Sequence, residues 1–409
     1  MRLIVDNSQF RLLLGFTLFT GMSQLLFMML QPWLALETTD SAFWVGATVG
    51  ASGAGLLSFS VIGGVLADRF ERRSVLVAAL GVQMVASAAI ATLAFTDQVR
   101  VGYIMLLGFV DAAMLAVLVP SAMTLVLDVV GREKLLPALS IDQMVMGSAG
   151  IIAPLSAGRI VDTFDIAWAY VFVAGCQAAA IPLALRLRRQ AGREAGRESP
   201  LSELKEGAKY VVGAPVVRTL FIGILLIEYF GFMHEPMVPI MARDVLEIGA
   251  EGLGNIIAAG SAGGLAAALM LSHFGEVERK DRLLVLGAVA FGSFMAAFAF
   301  SRSVPLSLAL YGLMYAGVVI YDTTVWTLLQ IAVPDRVRGR VLGFRSMTGG
   351  TVWILGFQTG AIAEVIGAPS TLVLGGGVVV GTAALLYRRV AGIAESPDTN
   401  SAGSSRKAE

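Results

Sequence analysis

The chain has 409 residues, 56% of them hydrophobic and only 15% charged, with 30 basic and 30 acidic side chains that cancel. So low a charge content excludes an ordinary water-soluble domain, where about a quarter of residues are charged, and zero net charge gives no pull toward nucleic acid. A single cysteine, Cys176, excludes an intrachain disulfide and a cysteine-based metal cluster.

Arg2 and Arg11 precede an apolar run from Leu12 to Leu36. The run is too long for a secretory signal and reads as a retained first helix. A spanning helix needs about 20 mostly apolar residues. That rule places spans near 12–36, 43–66, 74–96, 102–127, 138–161 and 166–187, then near 216–240, 252–273, 283–300, 305–331, 341–363 and 368–387. Twelve spans put both termini on one side of the membrane. Of the 30 Lys and Arg, only Arg100, Arg159, Arg243 and Arg302 then fall on the side away from the termini. The positive-inside rule makes the crowded side, with both termini, cytoplasmic.

The hydrophilic stretch 188–214 separates two sets of six spans. Ser199 and Pro200 resemble an N-cap and first helical residue, and Leu201, Leu204, Ala208 and Val211 recur at helical spacing. The expected organisation is a six-helix bundle over 1–187, a cytoplasmic linker with a short amphipathic helix over 188–214, a second bundle over 215–390 and a disordered tail over 391–409. The two bundles repeat one another. Ala51–Gly55 has a counterpart in Ala259–Gly264, the turn Asp68–Arg73 in Glu278–Arg282, and the turn Gly131–Lys134 in Pro334–Arg340.

The turn between the second and third spans reads Gly63-Gly-Val-Leu-Ala-Asp-Arg-Phe-Glu-Arg-Arg73. It resembles the signature of the major facilitator superfamily: Gly64, Asp68, Arg69, Arg72 and Arg73 match, while Glu71 stands in place of the second glycine. That replacement is similar to the bacterial branch of enterobactin-exporter and macrolide-efflux-like proteins, as are Thr38–Ser41, Pro200–Glu206 and Val333–Arg340. The resemblance implies an all-α polytopic membrane protein with two pseudo-symmetric six-helix bundles that rock about a central site. It also implies a conformational gate at the turn, where Arg72 or Arg73 can pair with Asp128 to stabilise the outward-facing state. In the fifth span Ala153, Pro154, Ala157 and Gly158 resemble the superfamily's antiporter motif, with two glycines replaced by alanine. This favours efflux.

Asp111, Glu228 and Asp322 lie inside spans four, seven and ten, and Gln24 is their polar counterpart in span one. A charge at mid-bilayer costs about 2.5–3.5 kcal/mol on insertion scales, so each needs a reason. By resemblance these four spans line the central cavity. A carboxyl that is neutral when shut from water and ionised when wet can carry a proton. Such a proton supplies about 2.3 kcal/mol per 100 mV. Hydrogen bonding to neighbouring helices is the plainer role for the same groups. His234 and Glu235, beside Pro236 and Pro239, could shuttle protons or sense pH, but such a pair more often is interfacial and solvated, and its side chains point apart on a helix. With His273 on the opposite face as the only other histidine, no metal site is expected.

Met22, Phe27, Met28, Trp33, Tyr229, Phe232, Tyr315, Tyr321 and Trp326 would suit an amphipathic cargo, and helix packing accounts for them equally well. The function expected is a secondary active exporter of a small amphipathic organic compound, coupled to protons, monomeric, without a cofactor, in the bacterial inner membrane. A siderophore exporter is the alternative within that class. A membrane receptor or scaffold would carry a folded soluble domain, and an intramembrane enzyme would need a nucleophile–base pair or metal ligands that the sequence lacks.

Overall fold

The computed structural model describes residues 7–188, 200–274, 279–334, 337, 340–341, 345 and 351–390. Among these there are helices and turns but no strand. Helix α1 (Ser8–Thr39) is followed by α2 (Ala42–Arg69), α3 (Arg72–Phe95), α4 (Val101–Val130), α5 (Leu135–Thr163) and α6 (Ile166–Arg186). A surface helix α7 (Pro200–Gly213) leads to α8 (Pro215–Gly231), α9 (His234–Ile240), α10 (Gly249–Phe274), α11 (Lys280–Phe300), α12 (Val304–Ala332), α13 (Gly356–Ile366) and α14 (Ala368–Val390). Among the described residues eleven helical segments are long and apolar enough to cross a membrane, α8 and α9 counting with the following turn as one span, Val217–Val245. Thr351–Ile366 is a shorter apolar helix that overlaps the expected eleventh span, 341–363, and runs three residues past it. Large apolar side chains such as Leu106, Ile222 and Leu385 are exposed on the outside, as a lipid-facing surface requires.

Helix ends are set by local chemistry. The Asn7 side chain accepts from the backbone amides of Gln9 and Phe10, each at 3.1 Å, and so caps α1. Asp165 accepts from Ala167 N at 2.9 Å and caps α6. Gly131 (φ 75°) and Gly367 (φ 80°) end α4 and α13 in a conformation that costs glycine nothing. The seventh span breaks between Gly231 and His234 because Pro236 has no N–H for the Phe232 carbonyl. Glu235 N donates to that carbonyl instead, at 3.1 Å, in a tightened turn.

Close helix contacts follow the internal repeat. A Cβ on Gly55 of α2 would run into the Phe109 carbonyl of α4; a Cβ on Gly263 of α10 would run into the Gly312 carbonyl of α12. The same pair of helices is pressed together in each half, as the sequence correspondence between 51–55 and 259–264 suggests. Helices α1–α6 form one bundle and α8–α14 the other. Between them run two seams, α2 on α13 and α5 on α10. The α7 helix lies against the second bundle, with Gly207 facing the Arg340 carbonyl. The N-cap candidate Ser199, the side chains of Leu201 and Leu204, and the tail 391–409 fall outside the described residues.

Candidate functional site

Small residues bring the two bundles together at the seams. In α5, Ala153 and Ala157 are fully buried, and a Cβ on Gly158 would come within 2.8 Å of Glu251 Cα in α10. Gly254 in turn faces the Pro154 carbonyl. The antiporter-like residues Ala153, Pro154, Ala157 and Gly158 therefore form the α5–α10 seam, where backbones meet without side chains between them. In the other seam a Cβ on Gly46 would lie 2.6 Å from both Gly360 Cα and Gly360 N.

Polar bonds across the halves gather at the membrane face that carries Asp40. Arg243 is ion-paired with Asp40 and donates to the Leu36 carbonyl at 3.0 Å. Glu364 accepts from Ser41 Oγ at 3.0 Å and from Phe43 N at 2.9 Å. The Asp162 carboxylate accepts from Ala250 N at 3.2 Å and Glu251 N at 2.9 Å, so one half caps a helix of the other. The Asp40 face is shut in this structure.

On the opposite face, Arg72 is ion-paired with Asp128, linking the start of α3 to the end of α4. Arg72 is buried. Arg73 stands next to it, half-buried, and Glu71 accepts from Ser74 Oγ at 2.9 Å at the start of α3. Gly64 falls within α2; the side chains of Asp68 and Arg69 lie outside the described residues. The expected Arg72–Asp128 pair is present, and it lies wholly within the first half. It coexists with a shut Asp40 face, so by itself it does not mark the state in which that face is open.

The four intramembrane polar residues do not meet in one cavity. Gln24 and Asp111 line a cavity of ≈ 170 Å³ within the first half, together with Thr17, Gln83 and Asp142. Asp111 is buried, and its Oδ1 has no hydrogen-bond partner among the described residues. Gln83 reaches the same residue through the Asp111 carbonyl, at 3.1 Å, without satisfying the carboxyl. Glu228 and Asp322 line a cavity of ≈ 290 Å³ in the second half. Arg345 stands between them, ion-paired with Glu228 Oε1 and 3.4 Å from Asp322 Oδ1. Its guanidinium carbon is 5.4 Å from the centre of the Trp326 ring, within cation–π range. Glu228 and Arg345 side chains are each 6% exposed, whereas that of Asp322 is 48% exposed and faces the cavity.

Arg345 is not among the residues expected in the site, since the cation count places it with the other basic residues on the side of the termini. A signal was available: it lies inside the expected span 341–363, where an arginine needs a counter-charge. The reading of His234 and Glu235 as a solvated pair pointing apart is corrected. His234 is completely buried. The break before α9 turns it so that it and Glu235 both reach the Tyr315 hydroxyl, at 3.3 and 3.1 Å. No group of three or more potential metal ligands occurs among the described residues.

Residues 12–357 match the Major Facilitator Superfamily. The enterobactin exporter EntS of Escherichia coli O139:H28 (strain E24377A / ETEC) is 28% identical over 327 residues, covering 77% of this chain and 76% of that protein. The enterobactin exporter EntS of Escherichia fergusonii has the same identity and coverage. Among solved structures, a POT family transporter in complex with 5-aminolevulinic acid superposes with a TM-score of 0.77 at 10% identity, covering 95% of this chain and 97% of that one. The nucleoside transporter NupG gives a TM-score of 0.76 at 14% identity, over 95% and 99%. At these identities the structures speak for the fold alone. The apolar spans and these relatives make the chain a multi-pass protein of the bacterial inner membrane, a transporter and not an enzyme. With two repeated six-helix bundles meeting along small-residue seams and a match over residues 12–357, the chain belongs to the major facilitator superfamily.

Proposed function

We propose that the protein exports a small amphipathic organic compound by alternating access, in exchange for protons. The observation that carries this reading is Asp111: a buried carboxyl on a cavity wall, its Oδ1 without a hydrogen-bond partner among the described residues. A carboxylate used only for helix packing would be satisfied by its neighbours. This supports a role in which Asp111 takes a proton when its cavity is closed and loses it when water enters. In the second half, two carboxylates share one arginine. With both ionised the cluster has one negative charge in excess, and a proton or a cationic group of the cargo can neutralise it. Competition of that kind is what antiport requires.

Orientation follows from the cation distribution: the Asp128 face is cytoplasmic and the Asp40 face external. The shut Asp40 face is then the state that loads from the cytoplasm. No cofactor is needed, because the proton gradient supplies the energy, and a monomer suffices because each half contributes its own cavity.

A siderophore cargo is a second reading, favoured by the 28% identity to a protein described as an enterobactin exporter. An acidic siderophore would engage Arg345, the buried cation of the second cavity. Accumulation of labelled candidates in cells with and without the protein distinguishes the cargoes.

Everted vesicles containing the protein should take up the cargo in a manner that collapses on addition of a protonophore. Asp111→Asn should abolish gradient-driven uptake while leaving the protein folded. Full uptake in the absence of a gradient would refute the coupling, and gradient-driven uptake by Asp111→Asn at the wild-type rate would remove that residue from it.

A further inference from the structure

Helices α11 and α14 meet backbone to backbone near their middles: a Cβ on Gly292 would lie 2.6 Å from the Gly376 carbonyl oxygen. The start of α10 is held at the Asp40 face by Asp162, so α11, which follows it, starts at the opposite face and runs back. The end of α13 is at the Asp40 face, where Glu364 reaches Ser41 and Phe43, so α14 starts there and ends at the opposite face. The two helices are therefore antiparallel. Arg282 stands ten residues before Gly292 in α11, and Tyr387 stands eleven residues after Gly376 in α14. With a rise of about 1.5 Å per residue, both lie about 15 Å from the contact, level with each other near the face opposite Asp40.

At that level a groove of ≈ 550 Å³ lies between the two helices, on the outside of the bundle. Its α11 wall is divided by polarity along the helix axis. Arg279, Arg282, Leu286 and Val289 follow one another at steps of three, four and three residues, the spacing of one helix face. The two cations stand at the membrane surface, and the apolar pair descends from them, with Leu283 alongside. Tyr387 forms the opposite wall. Leu286 is 62% exposed and Tyr387 41% exposed, so the described residues leave the groove uncovered.

Positive charge is in excess here. Arg279 Nη2 lies 3.5 Å from Asp281 Oδ2, and that carboxylate is buried behind the helix start. Arg282 is exposed and has no acidic partner among the described residues. Lys280 adds a third cation to the same turn. A helix end that needed only anchoring would be served by one long cation reaching up to water. Here an unpaired guanidinium stands over a concave apolar strip instead.

The shape and charge together define the occupant. It must carry acceptor oxygens for guanidinium donors at one end, and an apolar body below them. From Arg282 to Val289 the strip is about 10 Å long, two thirds of one leaflet's hydrocarbon depth of about 15 Å. A phospholipid has this form, with a phosphate suited to the arginine fork and chains of the right depth. Tyrosine belongs at the same headgroup level. Three cations against one carboxylate favour a lipid of net negative charge over one whose own ammonium cancels its phosphate. We propose that the groove seats one anionic phospholipid, its phosphate held by Arg279, Arg282 and the Tyr387 hydroxyl, and one acyl chain lying along Leu283, Leu286 and Val289. The lipid bridges α11 and α14 at the membrane surface, as Gly292 and Gly376 join them in the middle. The site needs neither cargo nor a proton, so it stands or falls independently of Asp111 and of what is transported.

The test uses the purified, delipidated full chain in detergent, titrated with dioleoyl phosphatidylglycerol or dioleoyl phosphatidylcholine, which have identical chains. Native mass spectrometry counts the lipids bound. Phosphatidylglycerol should give a first adduct at least about fivefold tighter than phosphatidylcholine, the worth of one basic residue near an anionic surface. Arg282→Gln should weaken that adduct by about the same factor and leave phosphatidylcholine unchanged. Arg218→Gln removes an exposed arginine at the start of α8, on the same membrane face but outside the groove, and should change neither. Leu286→Trp keeps every charge but fills the strip, and should also weaken phosphatidylglycerol. Residues 282 and 286 are exposed, so both variants keep the packing of the bundle, and the comparison of the two lipids on the unaltered chain needs no variant. Equal affinity for the two lipids overturns the proposal, as does an equal loss in Arg282→Gln and Arg218→Gln. Displacement of phosphatidylglycerol by an excess of inorganic phosphate, or full binding to Leu286→Trp, also overturns it, since either result describes an anion site without a lipid chain.

Discussion

Arg345 is ion-paired with Glu228 across the second cavity, and both side chains are almost entirely buried although 117 positions separate them. Asp322 approaches the same guanidinium nitrogen at 3.4 Å from the cavity side. The cluster is thus asymmetric: one cation serves two carboxylates, one shut in and one open to the cavity.

That asymmetry predicts unequal effects of removing its members. Arg345→Ala leaves two carboxylates facing one another without the cation that they share, and breaking a buried pair this way costs roughly 3–5 kcal/mol. Glu228→Gln leaves Arg345 with Asp322 and should cost about 1 kcal/mol, the scale of an ordinary net hydrogen bond. Thermal unfolding midpoints of the purified variants in one detergent give the comparison. Equal midpoints would mean that Arg345 does not bridge the two carboxylates.

The span map was legible in the sequence because each lipid-crossing helix must be about 20 apolar residues long, a requirement that acts locally. The α5–α10 seam was half legible: Gly158 and Pro154 announce close packing, but their partners Glu251 and Gly254 lie nearly a hundred residues away. Partner choice is not legible in the sequence. Arg345 and Glu228, or Asp162 and the α10 amides, are joined by the rotation of whole helices about their axes, which no local pattern encodes. His234 shows the same limit at short range. Pro236 and Pro239 signal a break, yet only the angle of that break decides whether His234 and Glu235 diverge or converge on Tyr315.

The Arg72–Asp128 pair carries a second prediction. Arg72 has 4% side-chain exposure and Asp128 21%, so the arginine depends more on its partner than the reverse. Asp128→Ala strands a buried cation and should destabilise by about 3 kcal/mol or more. Arg72→Ala leaves a carboxylate that can reach water and should cost clearly less. Chemical denaturation monitored by tryptophan fluorescence ranks them, and the reverse order would refute the burial argument.

Gly46 predicts a steric lock. Its hydrogen is the only substituent that fits against Gly360 while the Asp40 face is shut, since a Cβ would sit 2.6 Å from two backbone atoms. Gly46→Val should leave each half intact yet push the halves apart there, at the 1–3 kcal/mol typical of overpacking. Spin labels on cysteines introduced at Gln98 and Ser303, exposed on the Asp40 face in opposite halves, should show the ratio of shut to open forms falling by about 5- to 150-fold, 1.4 kcal/mol being one factor of ten. An unchanged distance distribution would show that the seam yields elsewhere.

Asp162 predicts a conformational effect without a stability effect in its own half. Its carboxylate accepts from Ala250 N and Glu251 N, the first free amides of α10, and so performs across the seam what an N-cap residue performs within a helix. The bonds exist only while the halves touch at the Asp40 face. Cap removal costs about 0.5–2 kcal/mol, and here that cost falls on the shut state alone. Asp162→Ala should therefore lower the ratio of shut to open forms by about 2- to 30-fold, with the loss larger than for Arg159→Ala. Arg159 lies 3.6 Å from Glu251 in the same seam but is 77% exposed, and exposed pairs contribute little. Amide hydrogen exchange offers a separate reading: the first turn of α10 should lose protection in Asp162→Ala while the middle of α5 keeps it. Protection lost equally in both helices would mean that Asp162 stabilises its own bundle and does not act as a catch between the two.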